Sequence, residues 1–252
     1  MRSTIIDWIA SLVSEARSQA GEMLASVAVR RAMLWIWPYA GVIVGMDAAA
    51  HYGEATGAAL PVQLFISQDH GFGEYLEYSL TTACAVMLFV MWRRLGPMAY
   101  LANAIMMVWL TLDNAFEFHE QFGHWIAPAI PLPAGSPVHA NDVGEMMFFA
   151  GVGGFWLLGL ASALLGAQPR AAVRSLFIAA GIGCAAIFGV LVDMMVTWGP
   201  HTVAQTQFEA WIEDGGEFAF LNFTFLMVVA FFHAERLAWR RPRRAAPVSA
   251  VA

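Results

Sequence analysis

Read as a helix, residues 113 to 124 (DNAFEFHEQFGH) put Asp113, Glu117, Glu120 and His124 at i, i+4, i+7 and i+11, stacked on one face. Three carboxylates and an imidazole on one stripe can bind a cation, share a proton, or serve as acid and base. The stripe grows out of an apolar run that starts at Met98. Charged groups at membrane depth are rare and by default mark a functional site.

Other acidic groups recur where apolar runs end or begin. Asp47, His51 and Glu54 are spaced i, i+4 and i+7, Glu74 and Glu77 i and i+3, and Asp142 and Glu145 i and i+3. Asp193 lies near the end of another run, and Glu209, Glu213 and Glu217 are spaced i, i+4 and i+8 beside Asp214. In an antiparallel bundle these ends meet at one level and form an acidic, imidazole-bearing chamber. So many carboxylates cannot all stay ionised without shared protons, bound cations or bulk water. The expected ligands are Asp113, Glu117, Glu120 and His124, with Glu145, Glu213 and Glu217 across the bundle. A second tier comprises Asp47, His51, Glu74, Glu77 and Asp193. Carboxylates with imidazoles suit Fe, Mn or Zn, and carboxylates alone suit Ca, Mg or Mn. Facing glutamates build di-metal sites in helical bundles, but the Glu-x-x-His pair of soluble di-iron bundles and the HExxH motif are both missing. The pairs Met106-Met107, Met146-Met147 and Met194-Met195 suit Cu(I), although methionines in so apolar a chain are more often packing.

The elements that carry these groups follow from composition. Of 252 residues, 59% are hydrophobic and 13% charged, with a mean hydropathy of +0.60; soluble domains carry about 25% charged residues. Six apolar segments, at about 32–50, 75–92, 98–120, 143–165, 173–198 and 216–232, are each long enough to cross a ~30 Å hydrocarbon layer when ends in the headgroups are allowed for, some needing their acidic ends to complete the span. Before them, Ile5, Ile9, Leu12, Ala16, Met23 and Val27 recur at helical spacing. That pattern reads as an amphipathic helix, either along the membrane surface or docked on the bundle's inner end. Glycines 151, 153, 154 and 159 with 181, 183 and 189 predict close packing of the fourth and fifth spans. Cys84 and Cys184 read as small buried hydrophobes, and the tryptophans at 35, 37, 92, 125, 198 and 211 as an interfacial belt.

Charge sets the orientation. There is no Lys, and threading six spans from a cytoplasmic N-terminus puts all 13 Arg on the cytoplasmic side. Only Asp7, Glu15, Glu22 and Glu235 join them; the other fifteen acidic residues fall on the outer side. The expected protein is all-α: a polytopic bundle of six transmembrane helices with an N-terminal amphipathic surface helix. Residues 1–31 form that helix, 32–237 the membrane domain, and 238–252 a basic tail expected to be disordered. The expected location is the inner (plasma) membrane with both termini cytoplasmic. The function expected is a cation-binding chamber near the outer face, as a metal-dependent hydrolase or oxidase of a lipid-soluble substrate. The alternatives are an ion- or proton-coupled transporter, or a non-catalytic subunit of a membrane complex. The expected partners are the lipid bilayer, a small or lipid-soluble molecule, and a second copy or complex subunit. No basic groove for nucleic acid exists, and no glycine loop for phosphate or GxSxG nucleophile.

Overall fold

The computed structural model describes residues 2–58, 60–68, 70–192, 195 and 202–240. Among them are eight α-helices and no strand: α1 (Arg2–Ala25), α2 (Val27–Thr56), α3 (Phe72–Leu95), α4 (Met98–Phe116), α5 (Phe118–Ile126), α6 (Ala140–Leu164), α7 (Pro169–Ala186) and α8 (Val203–Arg240). A π-helical stretch, Ile187–Val192, continues α7. The helix ends follow local chemistry. Ser26 caps α2, accepting from the Val29 N–H at 3.4 Å. Gly96, at φ 93°, ends α3 after Arg93 and Arg94, which suit the negative end of the helix dipole. His139 and Asp142 form a capping box at the start of α6, and Pro169 opens α7.

Five helical segments are long and apolar enough to cross a membrane: α2, α3, α6, α7 with its π extension, and residues 211–239 of α8. The predicted third span, α4, is not among them. It is only 19 residues long and carries Asn103, Thr111, Asp113 and Asn114. It packs on α3, α6 and α7 along one side and leaves Ile105, Val108 and Phe116 exposed on the other. Its polar groups are satisfied there: Asn103 donates to the Ser175 carbonyl at 3.1 Å and accepts from Trp156 Nε1 at 3.3 Å, and Thr81 and Thr111 share a 2.7 Å hydrogen bond.

The helices alternate in direction, so the bundle has an arginine end and an acidic end. At the arginine end Leu88, Met91, Tyr100 and Phe231 are at most 2% exposed and fill the space between α3, α4 and α8. Beside them Arg174 is fully buried. It donates to Glu235 and, at 2.8 Å, to Gln19 of α1, and stacks 5.3 Å over the Phe231 ring. Gln19 is itself 0% exposed, so the second half of α1 is docked on α7. Trp8, Ile9 and Val13 of the first half stay exposed.

The glycine expectation is corrected. α6 packs on α4 and α5, and α7 on α1, α4 and α8, but α6 and α7 do not pack on each other. A Cβ added at Gly151, Gly153, Gly154, Gly159 or Gly183 would meet nothing within 4 Å. Gly181 and Gly189 are crowded, but by Thr224 and Glu217 of α8. Cys84 and Cys184 are both free thiols; Cys84 is buried, while Cys184 is only half-buried.

Removing one member of a buried ion pair strands the other, at a cost of about 3–5 kcal/mol. Arg174→Leu is therefore expected to lower unfolding stability in detergent by about that amount and to expose the α1–α2 junction to protease. The double variant Arg174→Leu/Glu235→Leu should recover most of the loss. Melting of the single variant at the wild-type temperature would contradict the role given to this pair.

Candidate functional site

The predicted stripe does not survive as one helix face. The chain breaks at Glu117, which adopts left-handed backbone (φ 54°, ψ 41°), and α5 leaves in a new direction. A residue with a Cβ pays roughly 1–2 kcal/mol for that conformation. Asp113 supplies the compensation. Only 1% exposed, its carboxylate accepts from the backbone N–H of His119 and from His119 Nδ1, both at 3.1 Å. Asp113 thus caps α5 from the preceding helix and is absent from the cavity wall. His119, which a continuous helix would place off the stripe, is the residue Asp113 engages.

α5 then lies against α6 at backbone distance. A Cβ on Gly144 would fall 2.8 Å from the Gly123 Cα, and one on Gly123 would fall 2.7 Å from the Glu145 Cγ. This close approach sets Glu145 beside the turn that carries His119 and Glu120. On the opposite side the π-helical stretch brings Gly189 against the Glu217 carboxylate with no room for a side chain. π-helical turns recur at functional sites because they re-aim backbone that an α-helix would bury.

Between these elements lies a cavity of about 540 Å³ at the acidic end. Its wall includes Glu74 and Glu77 of α3, Glu117 and Glu120, Asp142 and Glu145 of α6, and Glu213, Asp214 and Glu217 of α8. Among the described residues His119 is the only imidazole in the wall, and no Arg lines it. Glu217 is central: Asn114 hydrogen-bonds it, and Glu74, Asp113 and His119 are its electrostatic neighbours. Glu77, 8% exposed, faces Glu217, Glu74 and Asp214. Tyr78 donates to Glu74 at 2.5 Å and reaches the Asn114 carbonyl at 3.0 Å. The deeper wall is apolar and aromatic, with Trp109, Phe149, Trp156, Ile182 and Leu221.

Of the expected ligands, Glu117, Glu120, Glu145, Glu213 and Glu217 line this cavity, as do Glu74 and Glu77 of the second tier. Asp113 and His124 do not. His124 is exposed, with Nδ1 2.8 Å from the Glu120 carbonyl of its own helix. Asp47 and His51 are also elsewhere: Asp47, 2% exposed, accepts from the Ile66 N–H at 2.9 Å and sits 3.6 Å from His51 Nε2. They hold the loop after α2. Asp193 lies outside the described residues, as does the chain from 241 onward. His119, Asp214 and Asn114 were not among the expected ligands. Asp214 could have been found from its place between Glu213 and Glu217, but nothing in the sequence signals the break that brings in His119. Among the described residues no three or more His, Cys, Asp or Glu side chains converge as a metal site. No family model matches the sequence, and neither a curated protein nor a solved structure is significantly similar to it.

His119 carries the pH response of the turn. Burial of its ring opposes protonation, but the hydrogen bond and charge of Asp113, aided by Glu145 and Glu120, outweigh it and hold the pKa above the ordinary imidazole value. A raised folded-state pKa means that the stabilisation is complete below the unfolded value of about 6.5 and is lost as pH rises through the folded one. In metal-free protein, thermal stability relative to His119→Gln should therefore fall over that interval. Asp113→Asn should move the His119 titration, followed by NMR, to lower pH; an unmoved midpoint would rule out Asp113 as its cause.

The α5–α6 contact gives a separate prediction. Gly144→Val forces backbone against branched carbon, and overpacking of this kind costs about 1–3 kcal/mol. Faster hydrogen exchange confined to residues 117–126 is expected, and exchange unchanged from wild type would argue against the close contact.

Proposed function

We propose that this is a membrane protein whose acidic end is an outward-facing, cation-binding chamber. One observation carries the reading: nine carboxylates and no Arg line a single cavity. Like charges gathered this way are stabilised by whatever positive species enters, and the field concentrates cations at the opening. We take α4 as the third of six spans, because it packs along three of the membrane-long segments, α3, α6 and α7, and exposes apolar Ile105, Val108 and Leu112 on its other side. The distribution of Arg then supports cytoplasmic termini and an outer acidic end in a plasma or inner membrane.

The packed arginine end favours a one-sided site over a through-path, since Leu88, Met91, Tyr100 and Phe231 fill the interior there and, among the described residues, no charged group but the paired Arg174 is fully buried beside them. Metal-dependent hydrolysis or oxidation with Fe, Mn or Zn would need at least three donors at about 2.0–2.6 Å. Glu77, Glu217 and a third carboxylate would have to draw together to supply them. The walls as they stand suit a larger cation better than a bare ion.

Protein freed of metal is titrated with Mn²⁺, Zn²⁺ and tetramethylammonium by calorimetry. Saturable binding of at least one cation is expected, weakened about tenfold or more by Glu217→Gln and by Glu77→Gln. Absence of saturable binding for all three cations would overturn the chamber.

A further inference from the structure

We propose that the chamber takes an amphiphilic organic cation, a positively charged head on an apolar chain, directly from the bilayer through the gap between α6 and α7; this rests on the cation-chamber reading. The gap is a property of the helix packing. α6 and α7 are joined by a short turn, yet each packs on other helices and not on its neighbour. Gly153 of α6 and Gly183 of α7 both line the cavity, and a Cβ at either would meet nothing within 4 Å. The glycines therefore leave space without being required by packing. Leu157 and Ala186 line the cavity and are themselves exposed. In the proposed route they are the lips of the opening.

The level of the gap indicates where its occupant comes from. Gly153, Leu157 and Gly183 lie well inside two membrane-long apolar segments, at the depth of acyl chains rather than headgroups. Water-soluble ions do not approach from there, whereas a chain dissolved in the bilayer does. The chemistry of the wall indicates what the occupant is. Carboxylates with no Arg among the described wall residues call for a positive head, while Trp109, Trp156 and Phe149 add aromatic rings to the same wall, which suits an ammonium group better than a hydrated metal ion. No three ligating side chains converge among the described residues, which favours a bulky, diffuse cation over a bare ion. The apolar deeper wall accepts the chain, and about 540 Å³ lies within the usual ~300–1,000 Å³ range of small-molecule sites.

The test uses the full chain in lipid nanodiscs with a long-chain trimethylammonium bearing a diazirine in its tail. Photolabelling should map to peptides of α6 and α7, be suppressed by tetramethylammonium added from water, and be much weaker for the neutral alcohol of the same chain length. Gly153→Leu/Gly183→Leu fills the gap with better helix formers at positions where an added Cβ meets nothing within 4 Å, and an unchanged melting temperature checks that the variant folds. It should cut labelling about tenfold or more while tetramethylammonium still binds. Labelling of the filled variant at the wild-type level would overturn the lateral route and leave the chamber standing. Equal labelling by the neutral alcohol would overturn the cationic head. Failure of tetramethylammonium to bind or compete would overturn the organic-cation occupant, and the chamber itself falls only if Mn²⁺ and Zn²⁺ fail to bind as well.

Discussion

The carboxylate of Asp113 decides the shape of the acidic end. Had α4 run on, Glu117, Glu120 and His124 would have continued its axis away from the bundle. Instead, two hydrogen bonds to His119 hold a left-handed turn at Glu117. Hydrogen bonds to a charged group contribute about 1.5–3 kcal/mol each, which exceeds the roughly 1–2 kcal/mol cost of that turn. The break is therefore locally affordable, and it folds α5 back onto α6. Everything on the α5–α6 side of the cavity, Glu145 included, depends on that reversal.

The opposite end solves the reverse electrostatic problem. Arg174 is deep in the bundle, but Glu235, Gln19 and the Phe231 ring surround it. A charge so enclosed specifies position more than it adds stability: it fixes α1 against α7 and seals the base of the bundle. At the acidic end no Arg lines the cavity among the described residues, and the chain has no Lys. The two ends of the protein therefore differ in the kind of charge they gather.

Much of this was legible in the sequence. Hydropathy placed the second and fourth apolar helices to within about three residues of their ends, but it cut α2 (27–56) to 32–50 and α8 (203–240) to 216–232. Glu74, Glu77 and Glu145 lie in the first two turns of their helices, whereas Glu213 and Glu217 reach the same cavity from inside α8. Two features were hidden for physical reasons. The break at Glu117 carries no Gly, Pro or Asn signal at the turning residue, because the turn is imposed by a buried carboxylate four residues earlier. Periodicity assumes one continuous helix, so it promoted His124 and demoted His119. The glycines of α6 and α7 were misread because small residues permit close approach without compelling it. At Gly181 and Gly189 the neighbour came from α8, and at Gly153 and Gly183 none came.

That last contrast bears on how the chamber exchanges its contents. A transporter needs two gates on one path, and a polar way through its base. Here Leu88, Met91, Tyr100 and Phe231 pack the base beside an ion pair that also anchors α1. On the route proposed above, the openings are instead at the acidic level and between α6 and α7. A site open to water on one side and to the bilayer on another is suited to an occupant with both characters. In such a site the charged groups hold the head while the helix gap leaves the chain in an apolar medium, so neither part is desolvated against its nature. The arrangement of carboxylates above, aromatic rings between and empty glycine walls below follows that division of polarity along a single cavity.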